Sequence, residues 1–191
     1  MSVLPAVALR RPAPVLWWGA AVIGLVALLA RPWLLPAGVA VEWRVGFFVA
    51  LGAAGVAWPW ARRAPTAAWM PSLAVLGVGA VAFALGRAAV EVPVRSGGVT
   101  VALGLNALAA VAEEAFFRRY LYGLVEQRWS PAAAVLITAG AFAVVHVTVW
   151  GLWVLPLDLA AGLVLSWQRA ATGRWSVPAA THVVANTLAL S

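Results

Sequence analysis

Long apolar runs, broken by short clusters of arginine, proline and glycine, set the pattern of this chain. A helix needs about 20 predominantly apolar residues to cross a bilayer, with a range of about 17–25. On that measure seven segments qualify, roughly 14–30, 45–61, 69–87, 99–126, 131–149, 151–168 and 177–190. The breaks read "ARPWLLPAG", "ARRAPT", "VPVRSGG", "QRWSP" and "RAATGRWSVP", which are turn and helix-stop compositions. Ser130 followed by Pro131 is an N-cap with proline at the first helical position. The pattern predicts an all-α polytopic bundle of about seven transmembrane helices, with six to eight as the range. It divides into three N-terminal helices within 1–98 and a second group within 99–191.

Composition narrows the class. Of 191 residues, 64% are hydrophobic and 10% charged, against about 25% charged in a soluble domain. An integral membrane protein follows, with lipid as its main surroundings. There is no cysteine, so disulfides and a cysteine nucleophile are excluded. The net charge of +7 does not indicate nucleic acid, because its 13 basic residues, all arginine, are scattered in ones and twos at the edges of apolar runs. There they act as topology signals. With the N-terminus inside, Arg10, Arg11, Arg62, Arg63, Arg118, Arg119, Arg128, Arg169 and Arg174 fall on the inner side, and Arg31, Arg44, Arg87 and Arg95 on the outer. Trp17, Trp18, Trp58, Trp60, Trp69, Trp129 and Trp175 lie near span ends, where indole rings favour the membrane interface. Arg10 and Arg11 precede an apolar run as in a signal peptide, but no small-residue cleavage site follows, so the first helix is expected to be retained. The arginine-only, Ala/Gly/Pro-rich composition suggests a GC-rich bacterial genome, and hence a cytoplasmic membrane.

Against this background the polar residues inside the apolar runs stand out. The chain has six acidic residues and two histidines. Glu42 and Glu91 fall in connecting segments; Glu113, Glu114, Asp158, His146 and His182 fall within predicted helices. An ionisable group at the centre of a spanning helix costs about 2.5–3.5 kcal/mol on insertion scales, so each is a functional candidate by default. Glu113 lies about 16 residues before the turn near Arg128–Pro131, and His146 about 16 after it. At a rise of about 1.5 Å per residue, antiparallel helices bring them to one depth. That requires the fourth helix to run on through Arg118 to about Glu126. Glu114 and Arg118 are spaced i,i+4 and can pair. Glu113 points about 100° away and need not share those partners. Asn106 lies on the stripe of Glu113, Phe142 precedes His146 by one turn, and His182 precedes Asn186 by one turn.

A carboxylate can take a proton from water, imidazole can assist or bind a metal, and an asparagine amide can donate to a developing oxyanion. Such a set suits amide hydrolysis by activated water. Two histidines with a carboxylate also match a catalytic zinc set, although no HExxH helix is present, and no GxSxG motif marks a serine nucleophile. Two other classes use similar residues. One is a noncatalytic membrane immunity or assembly partner keeping the fold. The other is a proton-coupled small transporter with a Glu/His relay.

Three motifs in order, EExxxR in "EEAFFR" (113–118), FxxxH in "FAVVH" (142–146) and HxxxN in "HVVAN" (182–186), resemble those of the CPBP family of intramembrane proteases, the CAAX protease and bacteriocin-processing family to which type II CAAX prenyl endopeptidases belong. The resemblance covers roughly 99–190. It implies a glutamic-type intramembrane endopeptidase with Glu113 and Glu114 as catalytic pair and Arg118 as their organiser. His146, His182 and Asn186 would then activate water or bind the oxyanion. Relatives often carry glycine after the motif arginine; here Arg119 follows. A metal-free mechanism is the favoured expectation, with Glu113, Glu114, His146 and His182 the ligands of zinc or another divalent ion if one is used. The expected partners are a membrane peptide or protein substrate and the lipid bilayer, and the site is expected to open on the cytoplasmic side.

Overall fold

A computed structural model describes residues 14–57, 69–89 and 99–189. Among them every regular element is helical. The helices are α1 (Pro14–Leu29), the single turn α2 (Arg31–Leu34), α3 (Val41–Val56), α4 (Trp69–Ala89), α5 (Val99–Glu114), α6 (Tyr122–Arg128), α7 (Pro131–Trp150), α8 (Leu155–Thr172) and α9 (Ser176–Leu188). The all-α expectation is met, and the helices follow the apolar runs closely. The second run is displaced: α3 starts at Val41 and ends at Val56. Trp58 and Trp60, and Arg10, Arg11, Arg62, Arg63 and Arg95, lie outside the described residues.

One described helix, Pro131–Trp150, is long and apolar enough to cross a membrane by itself; the apolar stretches Val15–Leu29 and Ser72–Gly86 are shorter. At about 1.5 Å per residue the 16 residues of α1 reach about 24 Å, short of the roughly 30 Å hydrocarbon core. The surface is nonetheless strongly apolar. Ile23 and Val26 on α1, Val81 and Leu85 on α4, and Leu136 and Val144 on α7 are all exposed. Exposed apolar surface of this kind marks protein or membrane contact sites.

The fourth run does continue past the glutamates. Between α5 and α6 the chain stays helical through Ala115–Leu121, but in the wider π register, with the Tyr122 N–H donating to the carbonyl of Phe117. Such segments are rare, and they concentrate at functional sites. Main-chain carbonyls there leave the regular ladder, and Arg169 Nε on α8 donates to that of Arg118 at 3.0 Å. The core is built around this segment. Phe116, Phe117, Tyr120, Leu121 and Tyr122 are buried with Phe142, Val145 and Leu165, and Phe117 meets Phe142 edge-on at 5.5 Å.

Helix α7 packs along α8, α5 along α9 and α3, and α4 against α8 and α9. Buried polar side chains pin these contacts. Gln168 donates to the Val75 carbonyl and to Thr181 Oγ1, each at 2.9 Å, tying α8 to α4 and α9. The hydroxyls of Thr138 and Ser166 lie 3.0 Å apart between α7 and α8. Ser130 caps α7 by accepting from the Ala133 N–H at 3.1 Å, as its sequence predicts. Trp18 meets Trp129 edge-on at 5.6 Å, so the start of α1 lies beside the α6–α7 turn.

Candidate active site

Glu113 and Glu114 end α5, just before the π segment, and both are buried. Being adjacent on a helix they point about 100° apart, and their surroundings differ accordingly. Glu114 is completely enclosed. Its Oε1 accepts from Arg118 Nη1 at 2.8 Å and from His182 Nδ1 at 2.9 Å. Arg118, equally buried, also donates through Nη2 to the Gly162 carbonyl at 3.2 Å, and its guanidinium lies 4.6 Å over the Phe142 ring. The expected i,i+4 pair is therefore present, and Arg118 serves Glu114 alone of the two glutamates.

Glu113 faces a cavity of about 530 Å³ whose lining includes Asn106, Phe142, His146, Asp158, His182 and Asn186. Its Oε1 accepts from Arg31 Nη1 at 2.7 Å, and its Oε2 lies 3.7 Å from His146 Nε2. The hairpin argument for depth holds: α5 and α7 bring Glu113 and His146 level. His146 Nδ1 lies 2.8 Å from the Phe142 carbonyl. A carbonyl can only accept, so Nδ1 carries a proton and Nε2 has the free lone pair when the ring is neutral. The same reasoning at Glu114 Oε1 puts a proton on His182 Nδ1. Asn186 Nδ2 donates to the Asn106 carbonyl at 3.3 Å, leaving the second amide hydrogen for another acceptor.

All six sequence-predicted residues thus gather around one centre: Glu113, His146, His182 and Asn186 line the cavity, while Glu114 and Arg118 stand behind it. Phe142 binds the two halves together, packing against His146 at 4.5 Å and His182 at 5.6 Å.

Several expectations need correction. Arg31, expected as an outer flank charge, is folded onto Glu113. Arg119, expected only to set topology, donates to the Gly55 carbonyl of α3 at 2.7 Å. The cavity does not lie at the turn-proximal end of the fourth helix. Its lining comes from the ends of α4, α7 and α9 at Gly86, Trp150 and Ala189, and from Trp153 and Asp158 near the start of α8. These lie at the far end of α7 from the Arg128–Pro131 turn, so if that turn is cytoplasmic the cavity is nearer the opposite face. Asp158, left without a role by the sequence, lines the cavity, and its Oδ2 is buried with no protein hydrogen-bond partner. No pattern marked Arg31, which closes an apolar run before a proline; Asp158 was marked only as an ionisable group within an apolar run and belongs to no motif.

The four side chains weighed as metal ligands pair off as Glu113 with His146 and Glu114 with His182. Among the described residues no group of three or more His, Asp or Glu side chains is arranged to hold a metal ion. Each carboxylate of the pair instead spends an oxygen on a guanidinium.

Residues 95–188, just under half of the chain, match the family model described as "Rce1-like: Type II CAAX prenyl endopeptidase Rce1-like". That segment is similar to the Rce1-like family. It contains all three motifs and every sequence-predicted site residue, and the family is one of membrane-embedded proteases. No curated protein and no solved structure matches the chain. Arg31 and the α1–α4 region lie before the matched segment.

Proposed function

We propose that this protein is an intramembrane endopeptidase in which Glu113 activates water for attack on a peptide bond. The observation that carries the proposal is the facing of Glu113 Oε2 and His146 Nε2 across 3.7 Å at the cavity wall. The separation is too long for a direct hydrogen bond, and with neutral imidazole both atoms are acceptors. A water molecule there donates to both and turns a lone pair toward the cavity. Glu113 takes one proton as the water oxygen bonds to the substrate carbonyl carbon. The carbonyl oxygen becomes the oxyanion, received by the second amide hydrogen of Asn186 and by His182 when its Nε2 is also protonated. Collapse of the tetrahedral intermediate breaks the C–N bond, and the proton held by Glu113 passes to the leaving amine. Glu114 and Arg118 keep His182 in place and take no proton.

The guanidinium on one oxygen of each carboxylate supports a metal-free reading, since it already supplies each with a counter-charge. The family description supports peptides near a prenylated C-terminus as one substrate class to test. The mostly apolar cavity wall, with Ala82, Phe83, Leu157 and Val164, suits a lipid-borne or hydrophobic substrate.

The experiment uses purified protein in liposomes with a pool of synthetic membrane-anchored peptides, farnesylated and not, and reads cleavage by mass spectrometry. Glu113→Gln is expected to lower the rate about 10²–10⁴-fold, the range for loss of a general base, and chelator to leave the wild type unaffected. Full activity in Glu113→Gln would sink the mechanism. Chelator-sensitive activity restored by a divalent ion would replace it with metal chemistry.

A further inference from the structure

We infer that Arg31 is a positioning residue for Glu113, so that the α1–α2 corner, outside the matched family segment, forms part of the active site. The inference rests on Glu113 being the base and concerns what aims it. A buried carboxylate can rotate about its last bond, and only one orientation sets an oxygen opposite His146. Arg31 Nη1 holds Oε1 at 2.7 Å, and Oε2 is the oxygen left toward Nε2 of His146. Arg118 does not share this task, because its ion pair is made to Glu114.

The corner is built to hold the guanidinium there. Helix α1 stops at Leu29, and the chain turns through Ala30 into α2, where Pro32 sits in the first turn and the Leu35 N–H donates to the Arg31 carbonyl at 2.8 Å. Two side chains from α3 then pin the segment after it: Trp43 Nε1 donates to the Leu34 carbonyl at 3.1 Å, and Arg44 Nη2 to the Pro36 carbonyl at 2.9 Å. The Arg31 side chain is only 14% exposed although its backbone lies at the surface end of α1. A flank arginine set only by topology would extend into the headgroup region. This one is turned inward and lines the cavity.

The pair could be structural, holding α1 to α5 without bearing on the chemistry. The two roles separate in kinetics. A misdirected base lowers kcat and leaves KM alone, because it acts in the transition state, and small misplacements of a reacting group can cost about 10²-fold. The test compares wild type, Arg31→Lys, Arg31→Met, Arg31→Ala and Glu113→Gln in liposomes with the same peptide pool, measuring kcat, KM and Tm. Arg31→Met is expected to lose about 10²-fold in kcat with KM unchanged. Arg31→Lys, which keeps one donor and the charge, is expected to recover most of that loss. Added guanidinium at concentrations below those that unfold the protein is expected to raise the rate of Arg31→Ala, and equal sodium chloride is not. Wild-type kcat in Arg31→Met alongside an inactive Glu113→Gln would overturn the inference and leave the base intact. A change in KM alone would also overturn it, placing Arg31 on the substrate instead. Full activity in Glu113→Gln, or no cleavage of any peptide by the wild type, removes the protease reading and this inference with it.

Discussion

Glu113 and Glu114 are neighbours in sequence, yet they occupy two different kinds of place. Glu114 has an arginine and a histidine on one oxygen, no exposure, and no contact with the cavity. Glu113 has one oxygen held and the other turned toward a cavity, 3.7 Å from an imidazole nitrogen. Glu114 is sealed from the cavity, with two partners on Oε1 and Oε2 buried without a protein partner, and keeps a structure in place, whereas a reacting group needs one direction open to its substrate. The difference arises from the helix, which rotates consecutive residues by about 100° and so gives each its own partners. Substitutions on either side of that division test it.

The largest effect on stability is expected on the closed side. Arg118→Met leaves the Glu114 carboxylate buried without its cation, and breaking one half of a buried pair costs about 3–5 kcal/mol. The Gly162 carbonyl loses a donor as well. Adding Glu114→Gln removes the stranded charge, so the double variant is expected to be more stable than Arg118→Met alone. Unfolding in mixed micelles measures both. Glu113→Gln should fall well short of this loss, since its carboxylate borders a cavity. Equal destabilisation by Arg118→Met and Glu113→Gln would remove the distinction between the two sites.

His182 belongs to both sides and should show both effects. Its Nδ1 donates to Glu114 and its ring lines the cavity. His182→Ala removes a hydrogen bond to a charged group, worth about 1.5–3 kcal/mol, and is expected to lower activity as well. His146→Ala touches the open side only and is expected to reduce the rate about 10²-fold or more with a smaller change in Tm. Parallel rate and Tm measurements on the two variants sharpen the comparison. A His146 variant that unfolds as readily as the His182 variant would blur it.

Much of this arrangement was legible in the sequence because it rests on short-range rules. The i,i+4 spacing of Glu114 and Arg118 fixes a shared face, and the length of the α5–α7 hairpin fixes the depth of His146 against Glu113. The three motifs carry the family. Arg31 was not legible, because its role depends on a chain reversal and on packing between distant segments, here separated by 82 positions. A lone arginine at the end of an apolar run has the same local signature whether it faces headgroups or a carboxylate. The π register was hidden for a related reason. "AFFRRYL" has ordinary helical composition, and the extra residue in the turn is set by what packs on it, with the Arg169 side chain reaching the Arg118 carbonyl and α3 pressing on Ala115. The side on which the cavity lies was inferred from a charge at the end of a motif, whereas the lining also takes in the ends of α4, α7 and α9 and two tryptophans, Trp150 and Trp153.

The smallest expected effect lies at that α3 contact, and it tests how far the closed side is buffered. A Cβ on Gly55 would sit 2.5 Å from the Ala115 carbonyl carbon, 2.6 Å from its oxygen and 2.8 Å from the Phe116 nitrogen. All three are backbone atoms that cannot swing aside, and they follow directly after Glu114. The Gly55 carbonyl is also the acceptor for Arg119. Gly55→Ala must therefore push α3 outward, and overpacking of this kind costs about 1–3 kcal/mol. Alanine recovers roughly 0.5–1 kcal/mol of that through better helix propensity. A net loss of about 1 kcal/mol is expected. Gly46, on the same helix with nothing within 4 Å of its Cβ position, supplies the control: Gly46→Ala should be neutral or slightly stabilising. If Arg118, His182 and Gly162 hold the Glu114 side firmly, Gly55→Ala lowers Tm while kcat changes by less than about tenfold, the equivalent of 1.4 kcal/mol. A rate loss as large as that of Glu113→Gln would mean that the π segment transmits strain straight into the open side, and the two glutamates would then have to be treated as one unit.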